Sequence, residues 1–534
     1  MSRYILLLCI LSGLVALSTA SLSILLVQPL TSTSHHIWTM TLVKGLLQKN
    51  HRVHVVSIHE ANVNDDLARN LTYTVFEDVM KEVHETDVNN LVALRNLNAF
   101  YSAYFVYSWS IAACEKITQT KGAKELLEII KHNEFDVIVQ DVSLQQCLYG
   151  LWEVAKGKPP VVGLIPFGPA PWLNHYIGGP HYPNVRSYIY TGSKPTNLWQ
   201  RTLNVLHFIV DDFIRYYYFL PACQQLAEQY IGHEIRPLQE IEKNISIVLI
   251  NTYPTSDGGI PLPPNAIEIG GMHAQMQSAV TGVNPRYSES MRKFLDEAEK
   301  GAIVISLGTN VNWRHIGIDK LKVVVLALSK LKQRVLWKLD DEMSQLVTMP
   351  DNIMSVQWLP QNDVLNHKNV KAIWTHGGLL SMQEAIWKGI PVVGMPFCVD
   401  QVYNIENLVV KGAGIRLDFD TLSTQSVSNA LEEIVYNKSY MENMKRLSKE
   451  YRDRSLPPLD LAIWGIEYAV RNPNGNLASS IRSQSWMEQN LIDVYAILFL
   501  ALVVNLLFNF FVLKMLYNCF CKSTPSKSRK DKQM

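Results

Sequence analysis

The segment 358–401 constrains the fold of this 534-residue chain more than any other part of the sequence. It reads WLPQNDVLNHKNVKAIWTHGGLLSMQEAIWKGIPVVGMPFCVDQ. The apolar run 372–374 predicts a short buried strand, the Thr-His-Gly-Gly sequence at 375–378 a tight turn, and 379–387 a helix. Such a turn presents free backbone N–H groups and the positive end of a helix dipole to a ligand. We therefore expect a nucleotide diphosphate to bind at this turn.

Strand and helix patterns alternate through both halves of the chain, which predicts two doubly wound parallel sheets. A segment rich in proline and glycine, 251–264, separates the halves and is the predicted linker. The fold prediction is therefore α/β with the GT-B architecture, in which two Rossmann-like domains face each other across a cleft. The predicted strands are 23–28, 52–58, 136–139, 160–165, 302–307, 334–339, 354–357, 372–374 and 391–395, and the predicted helices are 38–49, 124–131, 318–331, 379–387 and 402–410.

Composition and missing motifs exclude several function classes. The formal net charge of +1 gives no basis for binding nucleic acid. The sequence contains neither a GxGxxG fingerprint nor a Walker loop, which argues against a dinucleotide oxidoreductase and a P-loop NTPase. Asp418 and Asp420 have the DxD spacing of a metal site, but two surface acids are the favoured interpretation.

Both ends of the chain carry an apolar segment. Residues 4–17 follow Arg3 and precede small residues, a pattern that predicts a signal peptide over 1–20. Residues 494–513 are long enough to cross a bilayer as one helix. Basic residues follow this segment, so the positive-inside rule predicts a cytosolic tail, a lumenal body and a single-pass type I topology. These basic residues are Lys514, Lys522, Lys527, Arg529, Lys530 and Lys532.

Further signals concern the compartment. The last two lysines of the tail resemble a retrieval signal for the endoplasmic reticulum membrane, with an ordinary positive-inside tail as the alternative. Three sequons are predicted glycosylation sites, at Asn70, Asn244 and Asn437. The four cysteines of the predicted lumenal body are too dispersed for a disulfide-stapled fold, so we expect buried thiols with at most one bridge. These cysteines are Cys114, Cys147, Cys223 and Cys398.

The segment 358–401 resembles, without a gap, the nucleotide-sugar signature of the UDP-glycosyltransferases, the family that includes the UDP-glucuronosyltransferases. The resemblance implies roles for individual residues. Trp358 matches the aromatic residue that stacks on uracil, Gln361 a residue near the base and ribose, and Glu384 the carboxylate that accepts from the ribose hydroxyls. The diphosphate contacts correspond to Ser306, His376, Gly378 and Ser381, and the residues that hold hydroxyls of the sugar to Asp400 and Gln401.

The first half of the chain is expected to supply the acceptor chemistry. The spacing from His35 to His51 matches that of the family's catalytic histidine, so the resemblance implies that His35 is the general base, with His36 as the competing candidate. Asp141 matches the carboxylate that orients the imidazole, whereas Asp136 is expected to start the strand.

The resemblance implies an inverting transfer of a hexose from UDP-glucose or UDP-glucuronate to a small lipophilic acceptor, for detoxication, with no cofactor and no metal. Leu380 replaces an asparagine of many members, and the Gly-Gly-Leu-Leu-Ser form is similar to the arthropod branch, which favours glucose. The alternatives are a non-catalytic membrane-anchored binding or partner subunit and a dedicated lipid glycosyltransferase. A homo- or hetero-oligomer is compatible with the sequence.

The predicted bounds are 1–20 for the signal peptide, 21–250 for the acceptor domain, 251–264 for the linker, 265–475 for the UDP-sugar domain, 476–493 for the juxtamembrane segment, 494–513 for the span and 514–534 for the tail.

Overall fold

The computed structural model describes residues 21–60, 65–79, 91–192, 195–275, 287–473 and 477–521. The predicted signal peptide and the basic residues beyond 521 lie outside these residues. The chain divides into two compact units, a body that ends at Ser479 and a C-terminal unit that begins at Ser480.

The body contains two parallel sheets. The first has the strand order β3-β2-β1-β4-β5-β6-β7 and the second the order β10-β9-β8-β11-β12-β13. Their strands are β1 Ser23–Gln28, β2 Arg52–Ser57, β3 Leu71–Val75, β4 Val137–Asp141, β5 Val161–Ile165, β6 Ile245–Ile250, β7 Ala266–Glu268, β8 Ala302–Ser306, β9 Arg334–Lys338, β10 Ile353–Val356, β11 Val370–Thr375, β12 Val392–Gly394 and β13 Gly414–Arg416. These two sheets confirm the predicted pair of Rossmann-like domains.

Helices cover both faces of each sheet, so most strands are continuous apolar runs. The helices of eight or more residues are α1 Thr33–Gln48, α2 Ala99–Gln119, α3 Lys121–His132, α4 Leu198–Ile214, α5 Leu220–Ile231, α6 Glu289–Asp296, α7 Ile318–Leu328, α8 Leu379–Lys388, α9 Gln401–Val410, α10 Thr424–Tyr436, α11 Lys438–Arg452, α12 Pro458–Arg471 and α13 Ile492–Cys521. Shorter helices include Leu91–Leu94, Gly150–Val154, Leu173–Ile177, Leu238–Ile241, Pro254–Asp257, Met272–Gln275, Trp313–Ile316, Asp341–Ser344, Gln361–Val364 and Trp486–Gln489.

The order of the strands creates a switch point in each sheet. In the first sheet, β1 and β4 are neighbours, and the strands that follow each of them in the chain lie toward opposite edges of the sheet. The same reversal occurs between β8 and β11 in the second sheet. Ligands of open α/β sheets bind beyond the carboxyl ends of the strands at such points. The chain segments that follow β1 and β11 are those that contain His35 and His376.

The first sheet extends beyond the predicted linker. Strand β7 pairs with β6, from Val248 opposite Ala266 to Ile250 opposite Glu268. Helix α12 returns from the second half of the chain and packs its apolar residues against the first sheet. The predicted bounds of 21–250 and 265–475 therefore assign β7 and α12 to the second domain, although both pack with the first sheet. The pairing of β7 with β6 crosses the proline-rich segment.

A disulfide between Cys114 and Cys147 joins α2 to the turn that follows β4. Cys223 is a buried thiol and Cys398 a partly buried one. Of the predicted glycosylation sites, Asn244 and Asn437 are exposed and Asn70 is partly buried.

In the C-terminal unit, α13 is long and apolar enough to cross a membrane between Ile492 and Phe520. This helix includes the predicted span and is longer at both ends.

Candidate functional site

His35 and Asp141 meet at the switch point of the first sheet. His35 lies in the first turn of α1, and Asp141 is the last residue of β4. The histidine Nδ1 atom is 3.4 Å from the Asp141 Oδ2 atom, and the carboxylate is completely buried. The sequence placed the start of this helix at 38, but the structure starts it at Thr33, so both His35 and His36 belong to the helix. With Nδ1 directed at Asp141, the Nε2 atom is the one available to take a proton.

The two alternative residues have other contacts. His36 faces the Ser57 hydroxyl at 3.2 Å, and its ring packs against His59. Burial, with a smaller contribution from His59, lowers the pKa of His36 to about 4. Asp136 precedes β4 and accepts a hydrogen bond from the Ser23 backbone N–H group, at the opposite end of the strand from Asp141.

Ser143 holds the buried carboxylate and was missed by the sequence reasoning. Its backbone N–H group donates to the Asp141 Oδ1 atom at 2.9 Å, and its hydroxyl donates to the same atom. These two bonds leave Oδ2 for His35 and fix the orientation of the carboxylate. A serine two residues after an aspartate is too common a pattern to have indicated this role.

The glycine turn after β11 encloses the His376 ring. A Cβ atom at Gly308 or at Gly378 would lie 2.5 Å from an atom of this ring, so a larger residue at either position would displace the imidazole. Gly378 precedes the first residue of α8, and Ser306 ends the neighbouring strand β8, opposite Thr375. Burial, assisted by the charge of Lys338, lowers the pKa of His376 to about 4, so the imidazole is neutral.

Glu384 and Gln361 form a polar pair beside the exposed ring of Trp358. The Gln361 Nε2 atom donates to Glu384 at 2.6 Å, and burial raises the pKa of Glu384 to about 7. His273, which the sequence reasoning also missed, lies with its Nε2 atom 3.9 Å from Glu384. The Trp358 side chain is 56% exposed, which leaves ring area for a base to stack on.

The segment before α9 is strained where it presents Asp400 and Gln401. Val399 has a φ of 56°, a left-handed conformation that β-branched residues rarely adopt. The Gln401 Oε1 atom accepts from the backbone N–H group of Phe397 at 2.9 Å, and Asn404 donates to the Asp400 carboxylate at 2.8 Å. These bonds hold the turn in place, with Asp400 and Gln401 at the cavity wall.

Leu380 has contacts that explain its apolar character. Its side chain packs against the core on one face of the first sheet. Its backbone carbonyl accepts from the His273 Nε2 atom at 3.0 Å. An asparagine at this position would place an amide against apolar neighbours.

All the residues proposed for catalysis and donor binding line one cavity except Asp141, which lies behind His35. The volume of this cavity is about 870 Å³, within the usual range for small-molecule sites. Both sheets contribute to its lining. Ser381 lines it from the first turns of α8.

Side chains that could bind a metal ion do not form a cluster within the described residues. Within the described residues, no three His, Cys, Asp or Glu side chains come close enough together to hold a metal ion. Asp418 accepts hydrogen bonds from the backbone of Asp420 and Thr421, and Asp420 pairs with Arg95. The DxD pair is therefore used in local structure.

Two facing Rossmann-like domains with a shared cavity at their switch points define the GT-B class of glycosyltransferases. Solved structures support this class: the glycosyltransferase VinC in complex with DTDP has a TM-score of 0.56 and 17% identity, with coverage of 84% of this chain and 100% of that one. Os79 from O. sativa has a TM-score of 0.54 and 16% identity, with coverage of 83% and 100%.

The chain belongs to the UDP-glucuronosyl and UDP-glucosyl transferase family, whose model matches residues 23–530. It is 30% identical to UDP-glucosyltransferase 2 of Dactylopius coccus over 75% of this chain and 76% of that protein. It is 32% identical to UDP-glucuronosyltransferase 2B1 of Rattus norvegicus over 77% and 75%. The predicted family is thereby confirmed.

Proposed function

We propose that this UDP-glycosyltransferase transfers a hexose with inversion from a UDP-sugar to a hydroxyl or acid group of a small lipophilic acceptor. The observation that carries the proposal is that His35, paired with Asp141, lines the same cavity as the glycine turn at His376. A base and a diphosphate cradle in one cavity, contributed by different sheets, are what a direct displacement between acceptor and donor needs.

The acceptor step follows from the His35–Asp141 geometry. The acceptor oxygen gives its proton to the His35 Nε2 atom as it attacks the anomeric carbon. The Nδ1 hydrogen points at Asp141, whose charge stabilises the imidazolium that forms. The bond from the anomeric carbon to the β-phosphate oxygen breaks, UDP leaves with the bonding electrons, and an α-linked donor gives a β-glycoside.

The donor side stabilises the leaving group. Free backbone N–H groups at the start of α8 and the helix dipole face the developing charge on UDP. The Thr375 hydroxyl lies 3.3 Å from the His376 Nδ1 atom, so when it donates there, Nε2 carries the hydrogen and donates to phosphate. These groups make a metal ion or cofactor unnecessary in the proposed mechanism.

Two features of the cavity support the proposed substrates. Apolar side chains of the first domain line the cavity together with His35, which suits a lipophilic acceptor: they are Leu30, Ile37, Met40, Trp109, Leu144 and Phe167. We propose glucose as the sugar because the Asp400 carboxylate at the cavity wall would repel a sugar carboxylate, and because the Gly-Gly-Leu-Leu-Ser form is similar to the arthropod branch. We further propose a lumenal body in the endoplasmic reticulum, a cleaved signal peptide, glycosylation and a role in detoxication, on the sequence signals given above.

The test is a screen of UDP-glucose and UDP-glucuronate against phenols, steroids and ceramide, with the full chain in microsomes and mass spectrometry of the products. Proton NMR of the product measures the anomeric configuration. We expect β-glucosides of lipophilic phenols or alcohols. Absence of transfer from every donor would support a non-catalytic partner subunit instead, and transfer confined to ceramide would support a lipid glycosyltransferase.

A further inference from the structure

A lysine that no motif singled out ends strand β9. In the second sheet, β9 pairs with β8, so that Trp337 lies opposite Ile305, and β8 pairs with β11. The carboxyl ends of these three strands therefore lie side by side. This register places Lys338 at the same edge of the sheet as Ser306 and the His376 turn.

The Lys338 ammonium group lies between the two parts of the donor site. Its Nζ atom donates to the Gly308 carbonyl at 2.7 Å and lies 5.2 Å from the centre of the Trp358 ring. Lys338 also lines the cavity together with His376. It therefore contacts the stacking platform and the backbone that encloses the His376 ring.

The charge of Lys338 is not neutralised locally. Within the described residues no carboxylate forms an ion pair with it, and Asp340 acts on it only through longer-range charge. Burial lowers the pKa of Lys338, the direction expected for an ammonium group that lacks a direct counter-ion. A bound anion would remove this cost.

The remaining members of the diphosphate cradle are uncharged. His376 is neutral near pH 7, Ser306 offers a hydroxyl, and the glycines offer backbone groups. Among the described residues, the other lysine of the cavity wall is Lys44, which belongs to α1 in the first domain. Among the described residues of the cavity wall, Lys338 is therefore the one full positive charge that the second domain presents to a diphosphate at the His376 turn.

We propose that Lys338 is the counter-charge of the donor diphosphate and stabilises the negative charge that develops on UDP when the glycosidic bond breaks. This inference rests on the proposed function and adds to it a residue that contacts the leaving group. The inference can be tested because the charge of Lys338 should increase the affinity for UDP, which has a diphosphate, and not the affinity for uridine, which has none.

The experiment measures the dissociation constants of UDP and uridine for the full chain in detergent, for the wild type and for Lys338→Gln. We expect the ratio of uridine to UDP dissociation constants to fall about 10- to 100-fold in the variant. We also expect kcat to fall by roughly 100-fold. The Lys338→Arg variant should keep most of the wild-type ratio. If Lys338 only held Trp358 in place, both ligands would weaken equally, and an unchanged ratio would overturn the proposal.

The matched control is Lys320→Gln. The Lys320 Nζ atom makes the same two kinds of contact outside the cavity, to the Phe419 carbonyl at 2.9 Å and over the Phe419 ring at 5.3 Å. This variant should leave the ratio and kcat unchanged. A similar loss in Lys320→Gln would overturn the assignment to Lys338.

A measurement on the wild-type protein tests the proposal even if the Lys338→Gln variant does not fold. Acetylation of lysines is followed by peptide mass spectrometry without ligand, with uridine and with UDP. UDP should protect Lys338 more than uridine does, and Lys320 should react equally in all three samples. Equal labelling of Lys338 with UDP and with uridine would contradict the proposal. A wild type that binds UDP but transfers no sugar would refute the proposed function and leave the charge assignment standing.

Discussion

The two switch points of the body are built from different kinds of sequence information. At β8 and β11, the turn, the following helix and most donor-site residues come from the single segment 358–401. At β1 and β4, the pair His35 and Asp141 is separated by 106 positions and comes together only because the strands are neighbours in the sheet. Local sequence therefore specifies most of the proposed donor site, whereas long-range sheet pairing creates the proposed catalytic pair.

This difference predicts different sensitivities to substitution. Changes at the first switch point should act on the chemical step and leave donor binding intact. Changes at the second should act on donor affinity, and for Lys338 also on the departure of UDP, with effects set by which part of the UDP-sugar each side chain meets. The three predictions below test this division.

The largest effect is expected for His35→Ala. Loss of the general base should lower kcat by about 10²- to 10⁴-fold, with the UDP dissociation constant unchanged. Steady-state kinetics and isothermal titration calorimetry with UDP measure the two quantities. The matched control is His36→Ala, since this neighbour also lines the cavity but forms no ion pair with a carboxylate of the described residues. A larger loss of kcat in His36→Ala would assign the base to His36.

A smaller effect is expected from the titration of Glu384. Its pKa is raised to about 7 by burial, and only the ionised carboxylate accepts from both ribose hydroxyls. Because the protonated form dominates below the pKa, uridine affinity should fall about tenfold from pH 8 to pH 6. Uridine is the probe because it has no phosphate that titrates in this range.

The matched variant for this titration is Glu384→Gln. It should bind uridine more weakly than the wild type at pH 8, by about 10- to 100-fold, and with no change between pH 6 and pH 8. If the variant kept the pH dependence of the wild type, another group would be responsible for it.

The sequence anticipated the fold more completely than it did the site. Buried strands such as β1 and β8 are apolar runs, and their prediction needed no tertiary information. The start of α1 was placed too late because its first turn, Thr-Ser-His-His, has no apolar periodicity.

Two other misses have tertiary causes. Strand β7 has only three residues, too few for a periodic signal, and its pairing with β6 decides its domain. Lys338 was missed because a charged residue at a strand end is typical of a solvated surface. Only the register of β8 and β9 places it in the cavity.

The smallest effect is expected at the junction between the two regions, for Leu380→Asn. The Leu380 side chain packs against the core of the first sheet, while its backbone belongs to the first turn of α8. An amide at this position would meet apolar neighbours, so the variant should lose about 1–3 kcal/mol of unfolding free energy. Leu380 also lines the cavity, but its side chain packs against the core of the first sheet, so we expect UDP affinity to stay within twofold of the wild type. Chemical denaturation and calorimetry measure the two quantities, and Leu380→Ala, which removes the packing without adding an amide, is the control. A tenfold gain in UDP affinity for Leu380→Asn alone would show that this position contacts phosphate and that its packing against the first sheet does not keep it from the donor site.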